Sequence, residues 1–268
     1  MLTQKCIGIF LRPNVAQAKL TECLEVLEEF GFEVLCKGLD FTEQDIKRME
    51  QECDFLISLG GDGTLIATMH QTHALPILGV NAGWLGFLTI PLSAFRAFIQ
   101  DLCEGQYTLE RYKMLSVWLD EQKICNAINE VLISKKDLPT MVQIDAKIDA
   151  KIFNHYRCDG LIVATPLGST AYNISAGGSV VHPKCKSILL TPLAPHSLTQ
   201  RPMILDEEVV LEFGVLADSQ IIIDGQKAFD LKPDQCLRIC CEGDCMSLLY
   251  PKNHDYFEVL REKFHWGV

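Results

Sequence analysis

Apolar residues follow two rhythms along this chain, and the rhythm changes near residue 105. Before it, short apolar blocks recur: Lys5 to Phe10, Phe32 to Cys36, Asp54 to Leu59 and Pro76 to Val80. Each has the length of a buried strand. Between them lies helical spacing. Leu20, Leu24 and Leu27 recur on one face, with Asn14 as a cap and Gly31 as a stop. Thr42 caps a charged segment through Glu52, and a third helix is expected from about Thr64 to His70. Ser93 is read as the cap of a fourth, with Phe95, Phe98, Ile99 and Leu102 on one face. Strand alternating with helix predicts an α/β domain, a Rossmann-like parallel sheet wrapped by helices.

After Gly105 the apolar runs are short, β-rich and separated by turns such as Asp224-Gly225 and Glu242-Gly243-Asp244. They predict an all-β, sandwich-like domain. Tyr256, Leu260 and Phe264 then share a helical face, which must be buried somewhere, and docking back on the first domain is expected. The expected boundaries are 1–104, 105–250 and a tail at 251–268.

Composition narrows the function. The net charge of −11 disfavours a nucleic-acid partner, which would want a basic face, and disfavours an anionic membrane surface. No apolar segment approaches a spanning length. The 12 cysteines are scattered through apolar segments, the usage of a reduced cytoplasmic protein. Cys236, Cys240, Cys241 and Cys245 lack a Cys-x-x-Cys pair, and His70 and His73 have no wider ligand set. No metal-ligating residue is assigned.

Three stretches carry chemistry. In the first, the Asp54–Leu59 strand stops at Gly60-Gly61-Asp62-Gly63-Thr64. Glycines before a helix start let backbone amides approach a phosphate. Asp62 is out of place there unless it takes a proton, holds a metal or orients a nucleophile; the alternative is plain turn chemistry. In the second, an apolar strand after Asp159 leads into Pro166-Leu167-Gly168-Ser169-Thr170-Ala171-Tyr172-Asn173-Ile174-Ser175. Its hydroxyls and amides suit ribose or phosphate oxygens, and Tyr172 can stack on a base. In the third, Asn129-Glu130 interrupts the run Ile128 to Ile133. Such a pair suits the two hydroxyls of a ribose; the alternative is an edge strand facing water.

Together with Asn81-Ala82-Gly83-Trp84-Leu85-Gly86-Phe87-Leu88 between the first and third, these motifs resemble the NAD kinases over essentially the whole length. Gly-Gly-Asp-Gly-Thr alone also resembles the loops of diacylglycerol-type lipid kinases and phosphofructokinases. The Gly-Ser-Thr-Ala-Tyr loop is more specific. The resemblance implies NAD bound in a cleft between an α/β and a β domain, ATP as phosphoryl donor, Mg²⁺ carried with it, and a homo-oligomer (dimer or tetramer). It implies that Asp62 is the catalytic acid facing the adenosine 2′-hydroxyl, with Gly60, Gly61 and Gly63 at the phosphates. It implies that Asn129 and Glu130 contact a ribose of NAD, that Arg157 and Asp159 lie near its nicotinamide side, that Thr170, Ala171, Tyr172, Asn173, Ile174 and Ser175 surround its adenosine, and that Gln226 is a late contact. Leu167 stands where the family has a polar Thr, and Thr140 where it often has a basic residue or His. Pro195 to Pro202 also fits the family. The implied activity is transfer of the γ-phosphoryl of ATP to NAD. The competing readings are a lipid kinase of related fold and a non-catalytic NAD sensor.

Overall fold

The computed structural model describes residues 5–12, 15, 17–38, 40–81, 83, 86–136 and 141–267. The cap read at Asn14, residues Ala82, Trp84 and Leu85 of the second glycine turn, and Thr140 lie outside the described residues. The chain forms two compact units, one of residues 1–111 with 246–268, the other of residues 112–245.

The order opens with β1 (Cys6–Leu11), α1 (Gln17–Glu29), β2 (Glu33–Gly38), α2 (Glu43–Glu52), β3 (Phe55–Leu59), α3 (Asp62–Gln71), β4 (Ile77–Asn81), β5 (Ile90–Pro91), α4 (Phe95–Cys103) and β6 (Tyr107–Lys113). It continues with β7 (Leu115–Leu119), β8 (Gln122–Ala127), β9 (Glu130–Lys135), β10 (Val142–Ile148), β11 (Lys151–Cys158), β12 (Gly160–Ala164), the one-turn helix α5 (Tyr172–Ser175), β13 (Ser187–Leu193) and β14 (Met203–Asp206). β15 (Leu211–Val215), β16 (Ser219–Ile223), β17 (Lys227–Leu231), β18 (Leu237–Cys240), β19 (Cys245–Pro251) and α6 (Tyr256–Phe264) complete it.

In the first unit the strands lie in the order β2-β1-β3-β4-β19-β6, with β5 beside β4. The pairs β1–β2, β1–β3, β3–β4 and β4–β19 are parallel. β3 is buried along its whole length, as expected for a parallel strand covered on both faces. On one face Ile7, Ile9, Phe55 and Ile57 pack with Leu20, Cys23 and Leu27 of α1 and Phe95, Phe98 and Ile99 of α4. β2 and β3 flank β1, so the winding reverses between β1 and β3. The loops leaving their carboxyl ends diverge there and open a crevice, the usual place for a ligand in such sheets.

Local chemistry set several boundaries. Thr42 and Asp45 form a reciprocal capping box at α2, with Asp45 N donating to Thr42 Oγ1 at 3.2 Å. Ser93 does not cap α4: it sits in a 3₁₀ turn, and the α4 cap position is Ala94, without a side-chain bond. The run Ser247 to Tyr250, read from sequence with the β-rich region, belongs to β19 and pairs with β4 at Leu248 and Ile77. Alternation alone cannot say which sheet a short strand joins. In α6, Leu260 is buried and the Phe264 ring lies 5.6 Å from that of Phe87.

The second unit is two six-stranded sheets, β11-β10-β15-β18-β7-β8 and β14-β13-β12-β9-β16-β17. Val117, Ile144, Phe213 and Ile239 of the first form one core with Val131, Ile133, Leu161, Val163 and Ile221 of the second. β12 is buried on both faces: Ile162 and Ala164 pack outward with Leu189 and Val181. The apolar run 124–133 reads as one strand but is two. β8 ends at Ala127 in one sheet and β9 begins at Glu130 in the other.

Phe213 is fully buried between the sheets, whereas Ile152 is 57 % exposed. Phe213→Ala is expected to cost about 3–5 kcal/mol of stability, read as a lower urea midpoint with an unchanged slope. Ile152→Ala is expected to leave the midpoint within error, as at other exposed sites.

Candidate functional site

The glycine turn closes β3 and opens α3. Gly60 N donates to Val80 O at 2.8 Å, holding the turn on the neighbouring strand. A Cβ at Gly60 would fall 2.2 Å from Thr64 Oγ1, so the helix start itself excludes a side chain there. At Gly61 and Gly63 a Cβ would meet nothing within 4 Å. Those two glycines line open space, where a ligand can come close to the backbone. Gly61 is the helix N-cap without any side-chain bond, so the favourable field of the helix start points into that space.

Asp62 is the first residue of α3, two positions earlier than the spacing predicted. Its carboxylate turns back to the second glycine turn. Oδ2 accepts from Phe87 N at 2.7 Å, and Oδ1 accepts from Leu88 N at 3.1 Å and Thr89 Oγ1 at 3.3 Å. A Cβ at Gly86 would lie 2.2 Å from Oδ1, so glycine is required for this approach. Asn81 braces the same turn, its Oδ1 accepting from Gly83 N at 2.8 Å. The awkward acid is thus held by backbone donors of a segment 25 residues on. A carboxylate offers about four acceptor positions. Three are used, and Oδ2 keeps one.

Beside the turn, at the carboxyl ends of β1 and β3, is a cavity of about 600 Å³. Arg12, Asp40, Gly61, Gly63, Thr68 and Gln71 are among its lining. It combines a cation, glycine backbone and hydroxyls at the crevice where the winding reverses.

In the second unit the two-sheet crossover builds another site. Glu130 is 7 % exposed, and burial, then the charge of Asp224, push its carboxyl up to about 7. The Tyr172 amide donates to it and pulls the other way. Its Oε2 is buried without a partner, the one such carboxylate oxygen among the described residues. Asn129, half-buried, lies beside it. The Tyr172 ring is 45 % exposed. Thr165 ties the floor together: its Oγ1 donates to Ile128 O at 2.7 Å and accepts from Gly168 N at 2.9 Å. A Cβ at Gly168 would fall 2.2 Å from Asn129 O, which makes glycine obligatory against the Asn129 backbone.

The other sequence-read residues divide by their surroundings. Thr170, Ala171 and Ile174 are half-buried and Ser175 is exposed. Asn173 is fully buried and satisfied inside the protein: Nδ2 donates to Ser169 O and Ser179 O, and Oδ1 accepts from Thr191 Oγ1. It shapes the loop from within. Leu167 is buried and adds packing where a hydroxyl would stand. Gln226 is exposed in the β16–β17 turn. Asp159 pairs with Lys135 at 3.1 Å, and Arg157 is exposed on β11. These two lie at the Gly160 end of β12, while Glu130 pairs with Ala164 at the other end. The separation along the strand is roughly 16 Å at about 3.3 Å per residue. So the β unit holds two groups of candidates, not one.

Among the described residues, no group of three or more His, Cys, Asp and Glu side chains is placed to hold a metal. The buried thiols Cys240 and Cys241 are pushed up to about 12 and about 11, chiefly by burial, and stay protonated. No disulfide joins cysteines among the described residues. No described helix is long and apolar enough to cross a membrane. Sequence reasoning missed Asp224, Thr165 and the Phe87 and Leu88 amides as parts of these sites. Asp224-Gly225 had a visible turn signal, but nothing in it named the partner strand.

Two family profiles match in order: "ATP-NAD kinase N-terminal domain" over residues 7–107 and "ATP-NAD kinase C-terminal domain" over residues 128–245. The NAD kinase of Helicobacter hepaticus is 44 % identical, with 97 % of this chain and 96 % of that one covered. That of Wolinella succinogenes is 40 % identical, with 97 % and 95 % covered. Among solved structures, an NAD kinase from Archaeoglobus fulgidus in complex with ATP superposes with a TM-score of 0.80 at 26 % identity, covering 97 % of this chain and 98 % of that one. Yeast NADH kinase complexed with NADH shares the fold, with a TM-score of 0.86 at 22 % identity and coverage of 98 % and 88 %. With both domains matched in order and full-length relatives at this identity, the chain belongs to the NAD kinase family.

Proposed function

We infer that this protein transfers the γ-phosphoryl of ATP to the adenosine 2′-hydroxyl of NAD, forming NADP. Family membership supports this over a lipid kinase. The observation that carries the acceptor half is Glu130 Oε2: a buried, unpartnered carboxylate oxygen asks for a donor from a ligand. A ribose diol supplies one. Asn129 stands beside it, and the exposed Tyr172 ring offers a base its face. Asp159 and Arg157, at the far end of β12, take the nicotinamide side of an extended dinucleotide. Gln226 closes the near end from the β16–β17 turn.

The donor half rests on the glycine turn. Gly61 and Gly63, at the start of α3, and the exposed Arg12 line one cavity. They suit a nucleoside triphosphate, whose charge Mg²⁺ offsets when it is bound. Phosphoryl transfer needs chiefly in-line placement of phosphate and hydroxyl, and the glycine turn supplies the phosphate side of it. Asp62 accepts the hydroxyl proton at Oδ2, its remaining acceptor position. Phe87 N and Leu88 N keep the carboxylate aimed, so the group acts first by orientation and then by taking the proton. Cysteines not joined by disulfides fit a cytoplasmic setting, and we place the protein there as a homo-oligomer like the family at large.

Incubation with ATP, Mg²⁺ and NAD is expected to yield NADP; tight NAD binding without NADP would favour a sensor. Asp62→Asn is expected to lower kcat by about 10²- to 10⁴-fold with little change in NAD affinity, and turnover near wild type would sink the role given to Asp62. Glu130 also has a stability signature. Its folded carboxyl is raised from 4.5 to about 7, so its contribution is complete below pH 4.5 and is lost as pH rises through 7. Without ligand, wild type should lose about 3 kcal/mol between those limits that Glu130→Gln does not lose, measured by urea unfolding across pH.

A further inference from the structure

Asp224 has no part in the chemistry above, yet its carboxylate sits at the centre of the ribose site. It occupies the β16–β17 turn in a left-handed conformation, at a φ of 51°, with Gly225 following at 65°. Its Oδ2 accepts from Ile128 N at 2.9 Å. Its Oδ1 accepts from Asn129 N at 2.7 Å and Glu130 N at 2.9 Å. Its own amide donates to Glu130 O at 3.0 Å. Four hydrogen bonds therefore bind one turn to the three residues where the chain passes between sheets.

We propose that Asp224 is a positioning residue for NAD binding: it fixes the backbone that aims Asn129 and Glu130, and its negative charge governs whether Glu130 enters the complex protonated. The proposal rests on the reading of Glu130 as a ribose ligand. The carboxylate meets three amides with two oxygens, a task that an Asn, with one acceptor oxygen, performs only in part, and it brings a negative charge to the site as well. It is bonded to the amide of Glu130, whose own carboxyl is largely desolvated and raised by this charge, and like charges at such a site disfavour double ionisation. The groups around Glu130 are few. β12 presents Ala164 opposite it, β16 presents Ile223 beside Val131, and α5 presents only the Tyr172 amide. Lys227, at the start of β17, reaches Cys125 Sγ at 3.6 Å. Asp224 is thus the charge that acts on Glu130, second only to burial itself. The consequence is a carboxyl near half-ionised at neutral pH. Ionised, it accepts from both ribose hydroxyls. Protonated, it gives up one acceptor position, and NAD binds less well as pH falls.

Two measurements separate this from the reading beneath it. First, the Glu130 carboxyl is titrated by NMR in ligand-free protein, its resonance assigned with Glu130→Gln. Wild type is expected to titrate near neutral pH, and Asp224→Asn at clearly lower pH, still above an ordinary glutamate because burial remains. Second, NAD affinity is followed from pH 8 to pH 6 by calorimetry. Wild type is expected to weaken about tenfold, as for a group half-ionised near pH 7, Asp224→Asn by much less, and Glu130→Gln not at all. An unchanged Glu130 titration in Asp224→Asn overturns the role of Asp224 and leaves the ribose assignment standing. A shifted titration with pH-independent NAD binding in wild type overturns the ribose assignment instead. Asp224→Ser, uncharged and too short to reach the three amides, should lower the Glu130 titration as Asp224→Asn does and weaken NAD binding at every pH through lost bracing. Loss of folding in both variants would overturn the proposal, since bracing of the backbone would then account for Asp224 entirely.

Discussion

Backbone amides that leave a hydrogen-bond ladder must find acceptors, and in this chain aspartates supply them where the fold turns from scaffold into site. Asp224 takes the amides of Ile128, Asn129 and Glu130 as the chain passes from one β sheet to the other. Asp62 takes those of Phe87 and Leu88 as the second glycine turn crosses the end of the parallel sheet. An unpaired buried amide costs of order 1–3 kcal/mol, so several left unmet would rival the whole stability of a domain. Asp224 is followed by Gly225 in the left-handed conformation, and Asp62 reaches its donors because Gly86 carries no side chain.

The same bonds dictate the chemistry left over. Asp62 is half-exposed and has charge-assisted donors on both oxygens, so it keeps a fixed direction and one acceptor position. Glu130 is the opposite case. It is buried, has a single backbone donor and is raised by the charge of Asp224, so its proton is loosely decided. One environment fixes a carboxylate's direction; the other leaves a buried oxygen without a donor. Residue type alone does not distinguish them.

Much of the fold was legible from residue patterns. The apolar blocks before residue 105 mark the parallel strands because both faces are covered, and helical spacing in between marks α1 and α4. The Thr42 cap and the glycine turn were also readable, because each depends on neighbours within a few residues. Boundaries failed where distant contacts decide. Ser93 had cap chemistry without cap geometry. The run 124–133 looked continuous because apolar residues serve either sheet equally well. Tyr107–Lys113, Met203–Asp206 and Lys227–Leu231 lack a clean apolar alternation and were not read as strands at all.

By itself the sequence determined the class of fold, the glycine turns and the residue types at the site, since strand burial, helix periodicity and the freedom of glycine are local properties. The tertiary structure alone decided which partners those residues meet. It showed Asn173 as an internal brace, although it sits in the middle of the ligand-like loop. It set Asp159 and Glu130 at opposite ends of the β9–β12 pair. It gave Asp62 the amides of residues 87 and 88, and Glu130 the charge of residue 224. The physical reason is the same in each case: a hydrogen bond or a charge acts over a few ångströms, and only the folded chain brings residues 25 or 94 positions apart within that range.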